Sequence, residues 1–329
     1  MMYYHDIHSL SSLYSSTNPV VARRNPFQYV YDAYRRNATT EVKFVSNDTE
    51  FKPLIYQLKQ NMKWNHHSVC TRDTFVLLMY FTCRSELERR NLIRQHVKQG
   101  MIIDGMIVNY VMIVAAGANE TSALDELAKE NDEYSDMLVS LHEDTYFNWP
   151  ITVLDAYMWV RDYCKQASYV VKIDGDTWVH LGNLVHYLLD APRERFYGGL
   201  PKTGLLKGGF KYKRIQYYPK DHPEREVTYV CGACNVVSRD VVPFVNIGTL
   251  FMDYLWPVCE DSLIADILRR AGIVPFGKPR QFHWMLFNHW LNGTIIPTNT
   301  ISVHTRRDNQ LLIALYREYG INSTIHDAT

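Results

Sequence analysis

The sequence lacks any long apolar run. A helix that crosses a membrane needs roughly 18 to 20 consecutive apolar residues. The longest candidates here, 75–83 (FVLLMYFTC) and 107–116 (IVNYVMIVAA), have the length of strands. The opening stretch MMYYHDIHSLSSLYSSTNP has neither the basic n-region nor the apolar h-region of a secretion signal. An excess of charge is missing too: 35 Lys and Arg balance 35 Asp and Glu, which excludes an electrostatic footprint for nucleic acid or an acidic membrane. There is no P-loop, no Gly-x-Ser-x-Gly elbow and no Gly-x-Gly-x-x-Gly fingerprint. Their absence removes the commonest NTPase, hydrolase and dinucleotide-binding readings.

What is present describes a globular protein. Of 329 residues, 47% are hydrophobic, enough for one large or two small cores. Tyrosine, at 23 residues, suits flat amphipathic ligands such as sugars or nucleobases, and equally suits interfaces. On the missing signal and anchor alone the chain reads as soluble and cytosolic. Five Asn-x-Ser/Thr sequons (Asn37, Asn47, Asn119, Asn292 and Asn322) and an even six cysteines point instead to an oxidising lumen. Cys231-Gly-Ala-Cys234 has the spacing of a redox or zinc pair, but no second pair at matching spacing accompanies it.

Along the chain the first ~65 residues are polar and irregular, a stem-like preamble placed at 1–68 ahead of a folded domain at 69–329. From Phe75 onward strand-like and helix-like patterns alternate. A helix over 85–100 sets Leu87, Leu92, Ile93 and Val97 on one face; a strand, a helix opened by Thr121, a short strand at 137–141 and a helix over 149–165 follow. Next come the strand YVVKID, a helix over 184–191, the segment YVCGACNVVSRDVV, the helix EDSLIADILRRAG and a late strand ending at His304. Such alternation predicts an α/β fold with a mainly parallel central sheet flanked by helices.

The strand 169–174 runs directly into Asp174-Gly175-Asp176. Asp-Gly is a favoured turn pair, so a plain turn is one explanation. The other is a metal site, because two carboxylates at the carboxyl end of a strand supply hard oxygen ligands for Mg²⁺ or Mn²⁺ where open α/β sheets bind ligands. Glu260 and Asp261, read alone, are ordinary acids at a helix start. His304 and Arg94, read alone, are a structural histidine and a solvated helix arginine, and Trp178 and Trp256 are core residues first and sugar platforms second.

Taken in order, these segments resemble the inverting β1,3-galactosyltransferase and β1,3-N-acetylglucosaminyltransferase family (glycosyltransferase family 31), over roughly 75–319. RNLIRQHV keeps Arg90, Ile93 and Arg94 of the family's Arg-x-x-Ile-Arg-x-Thr-Trp segment, with His96 and Val97 in place of Thr and Trp. Glu130, Tyr134, Asp136, Asp144, Tyr146 and Asn148 match its Glu…Tyr-x-Asp and Asp-x-Tyr-x-Asn runs, and Cys164 its Cys ahead of the next strand. Lys172-Ile-Asp174-Gly175-Asp176-Thr-Trp178-Val179 is similar to Lys-x-Asp-Asp-Asp-x-Phe-Val, GACNVVS to Gly-x-Gly-Tyr-Val-x-Ser, Glu260-Asp261-Ser262 to Glu-Asp-Val, and Val303-His304 to the late Val-His.

The resemblance implies a GT-A-like nucleotide-sugar-binding fold and a metal-dependent hexosyltransferase. It would move galactose or N-acetylglucosamine from a UDP-sugar to a hydroxyl of a glycan on a glycoprotein or glycolipid. It makes Asp176 and His304 the ligands of Mn²⁺ or another divalent ion and Asp261 the general base. Arg90, Arg94, Asp174 and Gly175 fall to the donor nucleotide, and Glu260 and Trp178 to the acceptor side or the residues behind it. It also implies a Golgi protein with a membrane anchor and luminal catalytic domain, although no anchor is visible in this chain. Three departures stand out: Gly175 replaces the middle Asp of the triplet, Thr152 falls where a nucleotide-facing Lys is usual, and Cys234 and Asn235 replace Gly and Tyr. A catalytically silent relative that binds a luminal glycan or partner is the competing reading.

Overall fold

The computed structural model describes residues 61–320 apart from 65, 147, 207–210, 213–214, 217–224, 249–258, 277–280 and 284–295. Residues 1–60 of the stem-like region placed at 1–68, the sequons at Asn37, Asn47, Asn292 and Asn322, and Trp256 lie outside the described residues.

The described residues begin with β1 (Met62–Lys63), β2 (Thr74–Phe81), α1 (Leu87–His96), β3 (Met101–Ile103), β4 (Met106–Ala115), α2 (Thr121–Tyr134), β5 (Met137–Ser140) and α3 (Trp149–Tyr163). They continue through β6 (Tyr169–Asp174), β7 (Thr177–Val179), α4 (Leu181–Leu189), β8 (Tyr197–Leu206), the short pair β9 (Lys211–Tyr212) and β10 (Ile215–Gln216), and β11 (Arg225–Ser238). Then come α5 (Val242–Gly248), α6 (Glu260–Arg270), β12 (Phe282–His283), β13 (Ser302–His304) and α7 (Asn309–Tyr319).

The main sheet has the order β1-β5-β4-β2-β6-β11-β8, with β3 alongside β4. Its centre, β5-β4-β2-β6, is parallel, as the alternating pattern predicts. Both flanks are antiparallel: β1 on β5, and β11 on β6 and β8. The sheet is therefore mixed, with a parallel core.

Alternation along each strand divides the core between two faces. Leu77, Met79, Phe81 and Val170 pack with α3, α5 and α6, whereas Val76, Leu78, Tyr80, Val171 and Ile173 pack with α1, α2, α4 and α7. Each fully buried aliphatic side chain contributes about 1.5–3 kcal/mol, so burial on both faces makes the sheet the rigid part of the molecule. Cys70, ahead of β2, is disulfide-bonded to Cys164, just past α3, and closes a separation of 94 residues. Cys83, Cys231 and Cys234 are thiols outside this disulfide.

The helix predicted over 85–100 is shorter and faces differently from its apolar pattern. Leu87 is 45% exposed, and the buried positions of α1 are Arg89, Arg90, Ile93 and Arg94. The reason is electrostatic: α2 and the start of β5 bring Glu130 and Asp136 against this face. Similarly, α2 is opened by Glu120 as its N-cap, with Thr121 its first helical residue.

Candidate active site

The parallel strand β6 ends in register with the end of β2, Phe81 opposite Asp174. Side chains two apart on a strand share a face, so Lys172 and Asp174 both turn toward α3 and α6. Lys172 is fully buried, and its ammonium donates to Asp174 Oδ1 at 2.5 Å, to the Gly232 carbonyl at 2.6 Å and to Glu260 Oε1 at 3.1 Å. The Phe81 and Trp149 rings lie 5.6 and 5.7 Å from it. Burial opposes the charge on Lys172, but the Asp174 and Glu260 carboxylates overcome that and raise its pKa. Gly232 is what lets β11 approach: a Cβ there would lie 2.5 Å from Glu260 Oε1.

On the other side of the β6–β7 turn, β13 pairs antiparallel with β7 and sets His304 opposite Thr177. That register brings His304 Nε2 to 3.2 Å from Asp176 Oδ1. The backbone N–H of Arg307 donates to Asp176 Oδ2 at 2.8 Å, and Thr305 donates its N–H and hydroxyl to the Asp176 carbonyl, both at 2.8 Å. One ligand atom each from Asp174, Asp176 and His304 lies within 4.8 Å of the others. Two carboxylates and an imidazole are the donor set that suits a divalent ion such as Mn²⁺. Burial pushes the Asp176 carboxyl up, but the His304 hydrogen bond and charge outweigh it and hold it below the usual aspartate range. Asp174 goes the other way: burial raises it, Lys172 pulls against that, and the Glu260 and Asp176 charges add to the rise.

Asp261 stands at the first turn of α6, beside buried Glu260, and accepts the N–H of Ser262 at 2.7 Å. Burial and then the Glu260 charge push its carboxyl up to about 7. Tyr229, Cys231 and Lys202, from β11 and β8, are near enough to exchange electrostatic influence with it. A carboxylate held near neutrality can accept a proton at working pH, and Lys172 ties it to the acidic cluster, because one ammonium binds both Asp174 and the Glu260 that precedes it.

The structure brings Asp174, Gly175, Asp176, Glu260, Asp261 and His304 together. It places three others elsewhere. Arg90 directs Nε and one Nη to Glu130, both at 2.7 Å, and its remaining N–H groups to Thr82, the Cys83 carbonyl and the Arg84 carbonyl. All five donors are engaged within the fold, which leaves none for a phosphate. Arg94 makes a bidentate pair with Asp136 at 2.8 Å and a further contact to Glu130 at 2.7 Å, with the Tyr134 ring 4.0 Å away. Trp178 is fully buried and donates its indole N–H to the Gly320 carbonyl at 3.0 Å, so it presents no surface to an acceptor. Thr152 is also buried, on α3.

The sequence places Lys172 in the Lys-x-Asp-Asp-Asp-like motif without giving it a role, and it does not single out Thr305 or Arg307, whose contacts fix Asp176. A lysine inside an otherwise apolar strand was the available signal for the first. The other two carry none.

A protein-family model described as galactosyltransferase matches residues 88–277, more than half of the chain. The mouse protein β-1,3-galactosyltransferase 1 is 26% identical over 230 residues, 68% of each chain. The lactosylceramide 1,3-N-acetyl-β-D-glucosaminyltransferase B of Xenopus laevis is 26% identical over 288 residues, 83% of this chain and 73% of that one. Among solved structures, galactosyltransferase LgtC with donor and acceptor sugar analogs overlaps 69% of this chain and 86% of its own, at 9% identity and a TM-score of 0.39. The strand order and the acidic cluster agree with a GT-A-like α/β fold for transfer from a nucleotide sugar, and on the extent of the family match the chain belongs to the galactosyltransferase family.

Proposed function

We propose that this protein is an inverting hexosyltransferase. It transfers galactose or N-acetylglucosamine from a UDP-sugar to a hydroxyl of a glycan acceptor on a glycoprotein or glycolipid, forming a β-1,3 linkage. The observation that carries the reading is the reach of Lys172, whose ammonium contacts Asp174 in the acidic cluster and Glu260 beside Asp261. A metal-ligand set and a carboxyl whose pKa is pushed up to about 7 are thereby linked at the carboxyl end of β6.

Asp176 and His304 would hold the divalent ion, with Asp174 oriented behind them by Lys172. When bound, that ion supplies Lewis-acid stabilisation of the negative charge that develops on the departing UDP. Asp261 accepts the proton of the acceptor hydroxyl through its carboxylate as the oxygen attacks the anomeric carbon from the face opposite UDP. The bond from that carbon to the phosphate oxygen breaks and the configuration inverts. Asp261 must be ionised to do this, so its near-neutral pKa sets the lower edge of the working range.

We assign the protein to the lumen of the Golgi, the compartment that the family resemblance implies. The Cys70–Cys164 disulfide supports an oxidising environment, and Asn119, the sequon among the described residues, is exposed. Among the described residues no helix is long and apolar enough to cross a membrane.

The test is UDP release from a panel of UDP-sugars by the purified chain, with Mn²⁺ and with chelator, for the wild type and Asp176→Ala. Metal-dependent turnover that disappears in the variant is the expected result. UDP binding without turnover of any donor would make the chain a silent relative, and no UDP binding at all would sink the reading.

A further inference from the structure

The turn after β13 carries two consecutive non-glycine residues in the left-handed region, Arg306 at φ 53° and Arg307 at φ 67°. Each costs about 1–2 kcal/mol relative to ordinary backbone, so such a pair persists only where its surroundings fix it. Here the fixing group is Asp176. Thr305 is bound to the Asp176 carbonyl and the Arg307 N–H to the Asp176 carboxylate, and Asp308 closes the turn onto the Thr305 carbonyl at 3.1 Å before capping α7. The strain is localised beside the acidic cluster. It leaves both arginine side chains exposed.

Among the described residues neither guanidinium has an ion-pair partner. The Arg306 charge reaches Lys202: burial lowers the Lys202 pKa and the Arg306 charge adds to the fall. Lys202 in turn feels Asp261 and Cys231. The acids beside this turn are fewer than a three-carboxylate triplet would give, since position 175 is glycine and Asp174 is engaged by Lys172.

Given the donor reading above, on which this rests, we propose that Arg306 and Arg307 bind the diphosphate of the donor nucleotide. Arginine matches this ligand because its planar fork donates two parallel hydrogen bonds to phosphate oxygens. The charge of the diphosphate is then shared between side chains and the divalent ion, and nucleotide binding survives removal of the ion.

Calorimetric titration of the full chain with UDP and with uridine, in Mn²⁺ and in chelator, tests this for wild type, Arg306→Gln, Arg307→Gln and the double variant. Wild type is expected to bind UDP in chelator. The double variant should bind UDP about 10- to 100-fold more weakly, the loss expected for hydrogen bonds to a charged group, and uridine with unchanged affinity. Its thermal midpoint should match wild type, because the backbone contacts to Asp176 remain. UDP binding equal to wild type in the double variant overturns the proposal and leaves the donor reading standing. UDP binding by wild type only in Mn²⁺ overturns the shared-charge claim. Absence of UDP binding by wild type under both conditions removes the donor reading as well.

Discussion

A Cβ added at Gly175 would lie 2.5 Å from the Thr82 methyl and 3.0 Å from the Phe81 carbonyl oxygen, the same oxygen that accepts the Gly175 N–H at 2.7 Å. Thr82 is itself buried, so the neighbouring strand end cannot give way without disturbing β2. Glycine at this position is a packing requirement of this chain. Restoring the carboxylate of the related triplet is therefore expected to fail: Gly175→Ala should lose about 1–3 kcal/mol from overpacking, and Gly175→Asp at least as much. Urea midpoints report the loss. A Gly175→Asp variant as stable as wild type, with tighter Mn²⁺ binding, would contradict this account.

Lys172 supports the second prediction. Replacing it with Met leaves Asp174 and Glu260 facing each other without their shared cation, which costs about 3–5 kcal/mol for a buried pair broken on one side. Since burial has already raised the Asp174 pKa, protonation at low pH relieves that repulsion. The deficit of Lys172→Met should be largest near neutrality and shrink as pH falls toward 4. A deficit independent of pH would mean the lysine acts through packing alone.

The buried arginines give a third. Arg90 binds Glu130 and also holds the 82–84 segment through one hydroxyl and two carbonyls. Arg90→Leu should lose about 3 kcal/mol, the low end for a buried pair broken on one side, because Glu130 loses its bidentate partner and keeps only the Arg94 contact at 2.7 Å. Arg90→Leu combined with Glu130→Leu should recover part of that loss. A single variant with wild-type melting and weakened UDP affinity would return Arg90 to the nucleotide.

These three residues show what the sequence made legible. The parallel core was readable because apolar runs of strand length alternate with helix-like segments, and the candidate cluster of Asp174, Asp176 and His304 because its members occur in an ordered set of motifs. Burial of Arg90 and Arg94 was not readable. A helical pattern shows which positions share a face, but whether a basic face meets solvent or acids depends on Glu130 and Asp136, 40 and 42 residues away. Trp178 illustrates the converse, since an aromatic beside a candidate site reads as a platform until Gly320 is seen to accept its N–H.

Asp261 carries the last prediction, in which activity and stability move in opposite directions with pH. Its carboxyl, raised to about 7, accepts a proton only when ionised, so kcat/KM should climb about tenfold per pH unit below 7 and level off above it. For stability, a folded pKa above the unfolded value means that the folded state binds the extra proton. The stability contributed by this group is present below the unfolded value near 4 and is lost as pH rises through about 7. Asp261→Asn keeps an oxygen for the Ser262 N–H and removes the buried charge. It should abolish transfer, melt with wild type at pH 4, and exceed wild type by about 1–2 kcal/mol at pH 8, after allowance for partial solvent exposure. Paired denaturation curves at the two pH values measure this directly. An Asn variant that loses stability at pH 8 would show that Asp261 is held ionised by its hydrogen bonds, and the acid limb of the rate profile would then belong to another group.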